Sequence, residues 1–265
     1  MHIWTWHQWQ QLPYLTCSIL ENWQHGFFSR RFSPRSPVDL VQVLEPAAQV
    51  YRLKQVHGNQ VLKTTQVSPI PKTETNSEEI SLSEADGLLT NKGCQSVWVA
   101  SADCVPVLIG DVVTGRVAAI HAGWRGTSLK ILPEAIAQFK QQGSQMANLR
   151  VAMGPAISGG CYQVSEDVAV KLAATLQIMD IASSISQILE PLFHLPDPPL
   201  LSDPEPDRLR VDIRRFNALQ LEAVGLDPQQ IAICSECTYS QPELLFSYRR
   251  DRLKLVQWSG IVSFS

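Results

Sequence analysis

Residues 97–127 read VWVASADCVPVLIGDVVTGRVAAIHAGWRGT. Two very apolar runs, 105–109 and 116–120, flank a turn at 111–115. Runs rich in Val and Ile and bounded by Asp and Gly suit strands buried on both faces. Joined by so short a turn, they predict an antiparallel hairpin, which sends the chain out and back at one edge. Cys104 immediately precedes the first strand and His121 immediately follows the second, so the hairpin brings a thiol and an imidazole together. Arg125, between Gly123 and Gly126, adds a cation beside them. A sulfur, an imidazole and a guanidinium converging at the end of a buried hairpin mark a site rather than a core.

Upstream, KQVHGNQVL (54–62) places Gly58-Asn59 between two β-branched runs, a tight-hairpin signal with His57 at its lip. A lip histidine alone is an ordinary surface residue; beside the Cys104–His121 pair it becomes a third candidate ligand. In ADGLLT (85–90), Asp86-Gly87 reads as a turn into a short strand; Asp86 is either the turn former or a carboxylate facing the site, and spacing alone favours the turn. Residues 64–84 are polar, contain two prolines and read as a loop. Nearer the start, Trp4 and Trp6 alternate as on an edge strand whose aromatic face covers the core.

Downstream, Thr127 or Ser128 is expected to cap a helix with Leu129, Leu132, Ile136 and Phe139 on one face, its start delayed by Pro133. LRVAMGPAISGGCYQV (149–164) reads as a strand followed by a Gly-rich loop. Gly154, Gly159 and Gly160 would let backbone N–H groups converge on an anion, and would equally serve a close turn. Ser165 caps a helix expected to reach about Gln177, and the proline-rich 191–206 reads as a surface excursion. Asp212 caps another helix, ended by Gly225; 230–234 reads as a strand. Residues 244–258 mix apolar side chains with Arg249, Arg250 and Arg252. Cys234-x-x-Cys237 is half a zinc motif without a second pair, and reads as two part-buried thiols.

The chain has 265 residues, 45% hydrophobic and 18% charged, with a net charge of −3. That composition is globular and carries no electrostatic footprint for nucleic acid. Six cysteines in this length do not make a secreted disulfide framework. The first residues lack the basic start and unbroken apolar stretch of a signal peptide, and no run is long enough to cross a membrane. A cytoplasmic protein is expected, one α+β domain over residues 1–265, with mixed sheets flanked by helices.

His57, Cys104 and His121 form a three-ligand set that leaves a fourth tetrahedral position open, the arrangement of a catalytic zinc site. Arg125 would meet developing negative charge or an anionic substrate. The same residues admit two other chemistries: a Cys104 nucleophile with His121 as its base, and a copper site. A multicopper centre is excluded, because six histidines without an H-x-H pair cannot hold four copper ions.

KQVHGNQV, ADGLLT, SADCVPVLI, AAIHAGWRGT, GPAISGGCYQV and FSYRRD together resemble one family. It was once labelled multicopper polyphenol oxidase or laccase-like and is now regarded as zinc-dependent purine nucleoside phosphorylase and adenosine deaminase. The resemblance implies a layered α/β/β/α fold and zinc on His57, Cys104 and His121. It implies phosphate-dependent cleavage of adenosine, inosine, guanosine or methylthioadenosine, and deamination of adenosine. Many members carry paired cysteines where this chain has Gly160-Cys161-Tyr162, so any catalytic role of that pair falls to Cys161. Arg125 and Arg249, with Gly159 and Gly160, are the candidates to hold phosphate.

Overall fold

A computed structural model describes residues 2–71, 81–176 and 184–264. Its centre is the expected hairpin: Val105–Asp111 pairs antiparallel with Val117–Ala122, with Val105 opposite Ala122 and Pro106 opposite His121. The second strand runs through His121 rather than ending before it. Both strands are buried along their whole length, as continuous apolar runs require.

Alternate residues of the hairpin serve two cores. Val107, Ile109, Ala118 and Ile120 face helices, whereas Leu108, Val117 and Ala119 face a second sheet. The hairpin's sheet has the order Ile231–Ile233, Leu149–Met153, Val105–Asp111, Val117–Ala122, Gly87–Leu89, Val61–Lys63. It is antiparallel at the centre and parallel in both edge pairs. The other six-stranded sheet runs Trp4–Trp9, Leu12–Cys17, His25–Phe28, Gln257–Val262, Gln95–Ser101, Gln49–Arg52. Trp4–Trp9 is its edge strand, as the tryptophan alternation predicts, and Trp4 and Trp6 pack on the inter-sheet core.

Outside the sandwich, Pro37–Leu44 covers the second sheet through Leu40, Val41 and Leu44 against Phe28 and Trp98. On the far side Ile131–Gln141 and Ile213–Ala223 bury Ile136, Phe139, Phe216 and Leu221 against the hairpin's sheet. The order of layers is therefore α/β/β/α with mixed sheets. Each fully buried Leu, Ile, Val or Phe contributes about 1.5–3 kcal/mol to this packing. Among the described residues no helix is long and apolar enough to cross a membrane.

Several local expectations are corrected. Gly58-Asn59 does not turn a hairpin: Val61–Lys63 pairs in parallel with Gly87–Leu89, and the preceding loop is wrapped around a buried carboxylate instead. The helix after the hairpin is split into Trp124–Ser128 and Ile131–Gln141, with Lys130 left-handed between them (φ 61°). Leu132, Ile136 and Phe139 are buried as expected, but Leu129 is exposed because the break rotates it outward. The proline-rich stretch holds a strand, Leu200–Ser202, in a small sheet with Arg208–Val211 and Gln163–Ser165. The helix Glu166–Ala173 continues as a 3-10 turn to Leu176; Gln177, its expected end, lies outside the described residues, as does much of the polar loop.

Candidate metal centre

Between Gln95–Ser101 in one sheet and Val105–Asp111 in the other, the chain changes sheets across residues 102–104. Asp103 makes the bend at φ 97°, a region side-chain-bearing residues rarely adopt, and Cys104 follows at the end of the sandwich. His121 shares the inter-sheet side of its strand with Val117 and Ala119. His57 arrives on a loop, itself left-handed at φ 60°. The ligand atoms of these three residues lie within 4.8 Å of one another, and the imidazole rings of His57 and His121 meet edge to face.

Asp86 holds the assembly together. It is fully buried; its Oδ1 accepts from His57 N (3.0 Å) and His121 Nδ1 (2.8 Å), and its Oδ2 from Val56 N (3.1 Å) and Gly58 N (2.7 Å). The carboxylate thus shapes the His57 loop and fixes the His121 tautomer, leaving Nε2 free for a metal. The turn role expected for Asp86 is overturned, since its partners lie about thirty residues away on either side. Gly123 supplies clearance: a Cβ there would stand 2.8 Å from Cys104 Sγ.

Burial disfavours a charged Cys104, but the charge of His121 and hydrogen bonds from both imidazoles outweigh it and bring the thiol down to about 6. Burial likewise opposes protonation of His121, yet the Cys104 charge and the Asp86 hydrogen bond push it up to about 9. Without metal these two shifts favour a thiolate–imidazolium pair. Asp86 stays ionised: burial would raise it, and the His121 and Gly58 hydrogen bonds more than compensate.

The other expected residues lie outside this donor set and do not line the cavity onto which it opens. Arg125 is exposed, with its guanidinium 4.6 Å from the Trp124 ring. Arg249 donates from Nη1 to Gln163 O (2.8 Å) and stacks 4.9 Å from the Tyr162 ring. Tyr162, which sequence reasoning passed over, feels both arginines and the Cys104 charge; burial, then that charge, hold its phenol well above the usual value. Cys161 lies against Ser240 Oγ at 3.6 Å, not among the three donors. In the Gly-rich loop, Gly159 is pressed against Asp212, whereas Gly160 has open space beside it. Amides of Gly154, Ile157, Ser158, Cys161 and Tyr162 already serve protein acceptors. Cys234 is buried and its thiol is pushed up to about 12 by burial, consistent with a structural thiol.

The three donors open onto a cavity of about 500 Å³ whose wall is mainly apolar, with Tyr248, Leu255, Val256 and Trp258 contributing. It is the size class of small-molecule sites.

The chain is similar over nearly its whole length to a purine nucleoside phosphorylase of Synechocystis sp., 45% identical over 262 residues, 99% of this chain and 98% of that protein. A protein named adenosine deaminase RL5, from an unknown prokaryotic organism, is 28% identical over 177 residues, 67% of this chain and 61% of that one. The crystal structure of YlmD from Geobacillus stearothermophilus has the same fold, with a TM-score of 0.77 at 23% identity, covering 98% of this chain and 99% of that one. The family model described as multi-copper polyphenol oxidoreductase laccase matches residues 38–260, and the chain belongs to that family.

Proposed function

We propose that this chain, folded as one domain over residues 1–265, is a zinc-dependent purine nucleoside phosphorylase that also deaminates adenosine. The observation that carries the reading is the convergence of two imidazoles and a thiolate on the wall of a nucleoside-sized cavity. Its relatives' names, a phosphorylase and an adenosine deaminase, point the same way.

The family implies a metal, and the residues suit zinc. Ligands about 2.0–2.3 Å from a tetrahedral zinc stand roughly 3.5 Å apart, inside the 4.8 Å that bounds the separations of these donors. One thiolate and two imidazoles also suit copper, but a multicopper oxidase needs many more histidines. The other histidines are engaged elsewhere: His2 with Gln229 O, His7 with Thr16, His25 with Cys17 N and Trp23 O, His194 with Glu190. That leaves one three-donor set, enough for a single ion and not for a four-copper centre, and zinc is the ion we propose for it.

When bound, zinc supplies Lewis acidity and lowers the pKa of water to about 7. The chain's own residues supply the rest. Tyr248, Leu255, Val256 and Trp258 offer the purine ring an apolar wall with aromatic faces. Arg249 and Arg125, with the Gly159–Gly160 turn, are the candidates to hold phosphate, and Tyr162 beside Arg249 stays protonated from neutral to alkaline pH. In phosphorolysis a phosphate oxygen bonds to C1′ as the C1′–N9 bond breaks. The electron pair leaves with the base, which takes up a proton, giving ribose 1-phosphate and free purine. In deamination water replaces the amino group at C6 of adenosine and ammonia leaves. Adenosine, inosine, guanosine and methylthioadenosine are the expected nucleosides. All six cysteines are free thiols, which suits a reducing cytoplasm.

Metal analysis tests the zinc assignment. One zinc per chain is expected, lost from Cys104→Ala together with activity; full zinc occupancy in that variant contradicts it.

A further inference from the structure

The residue beside the thiolate does more than turn the chain. Asp103, nearly buried, accepts from Thr238 Oγ1 at 2.6 Å through Oδ1 and from the backbone N of Arg249 at 2.7 Å through Oδ2. Its carbonyl accepts from Ile157 N at 3.0 Å. Three segments distant in sequence are thereby tied to the residue preceding Cys104: the Gly-rich loop, the stretch after Ala232, and the short helix Tyr248–Asp251. The helix is a single turn, held also by Arg250 through Thr238 O, Tyr239 O and Leu245 O. The Asp103 bond is the one that ties its backbone directly to the residue preceding Cys104, while Gln163 O and the Tyr162 ring fix the Arg249 guanidinium. Asp103 holds the left-handed conformation at φ 97° while making these contacts, a cost that persists only where the surroundings over-determine it.

We propose that Asp103 is a positioning residue that couples the metal site to the anion site: it holds the Arg249 segment against the Cys104 corner, so that phosphate and nucleoside are brought to one reaction centre. The proposal rests on the phosphorolysis reading for the identity of the anion, inorganic phosphate. It does not rest on that reading for the anchoring itself.

Asp103→Asn tests it, because Asn tolerates the left-handed backbone and keeps the shape while placing an amide where one of the two acceptors was. The zinc-loaded variant is expected to keep one zinc per chain. Backbone hydrogen exchange over residues 247–252 should accelerate at least tenfold, and phosphate affinity measured by calorimetry should fall at least tenfold. Arg249→Ala should weaken phosphate similarly, and the double variant should be no weaker than the worse single one, since both remove the same interaction. The KM for phosphate should rise with the KM for nucleoside little changed. Should Asp103→Asn not fold, Asp103→Glu, which retains the charge but displaces the acceptor, is expected to show the same exchange and phosphate effects. Unchanged exchange at 247–252, or phosphate losses that multiply in the double variant, would overturn the proposal. Absence of phosphate binding by the unaltered protein would refute the phosphorolysis reading instead, with the exchange measurement still deciding whether Asp103 anchors the helix.

Discussion

Replacing Asp86 by Asn should both destabilise the protein and weaken its hold on metal. The two carboxylate oxygens each accept two N–H groups: Oδ1 those of His57 and His121, Oδ2 those of Val56 and Gly58. An asparagine can present only one oxygen, so in either orientation two donors, part-buried in the 56–58 loop or buried on His121, face an NH₂ group. Each orphaned donor costs about 1–3 kcal/mol, giving roughly 2–6 kcal/mol for the pair. Near the middle of that range, about 4 kcal/mol, Tm falls by roughly 8–16 °C for a chain approaching this size. Because the same carboxylate orients a ligating imidazole, metal affinity should drop about 10–100-fold. Calorimetric melts of metal-free protein measure the first effect, and competitive chelator titration measures the second. A destabilisation under about 1 kcal/mol, the lower bound for a single orphaned donor, with unchanged metal affinity would refute the anchoring role assigned to Asp86.

Gly123→Ala places a methyl group 2.8 Å from Cys104 Sγ while leaving an ordinary backbone conformation. Overpacking of this kind costs about 1–3 kcal/mol, and the displaced thiolate should lower zinc affinity at least tenfold with the circular dichroism spectrum unchanged. The metal-free protein should show level stability between about pH 6.5 and 8.5, where the falling His121 and rising Cys104 contributions trade off, with shallow losses toward pH 6 and pH 9. The raised His121 contributes fully below its unfolded value near 6.5 and loses that contribution as pH rises through about 9. The lowered Cys104 contributes fully above its unfolded value near 8.5 and loses it as pH falls through about 6. Cys104→Ala should flatten both limbs in urea melts across this range; a profile identical to the parent's would contradict the ion pair.

Much of the architecture is set by local patterns. The buried hairpin is legible because its apolar runs are unbroken and its turn is short, and that pairing alone brings Cys104 to His121. The face of Ile131–Gln141 is legible from Leu132, Ile136 and Phe139, although its start is not: Lys130 in a left-handed conformation is a backbone event with no compositional signature. Gly58-Asn59 is a sound turn signal, but the strand after it, Val61–Lys63, pairs in parallel with a distant partner rather than folding back on its neighbour. Asp86 misled for the same reason, since three of its four donors come from residues 56–58 and the fourth from residue 121. The alternative reading of Asp86, a carboxylate facing the site, is the one the structure bears out. Tyr162 and Asp103 were adjacent to quoted site residues, yet their roles depend on where Arg249 docks, which spacing does not reveal.

The proposed reaction is phosphate-dependent cleavage of purine nucleosides at a zinc site. Its most direct test is chromatography of adenosine incubated with zinc-loaded protein, with and without inorganic phosphate. Adenine and ribose 1-phosphate in equal amounts, appearing only with phosphate and lost in Cys104→Ala, are the expected result, with slow inosine formation in both conditions. Unchanged adenosine, alongside oxidation of phenols by copper-loaded protein, would contradict it.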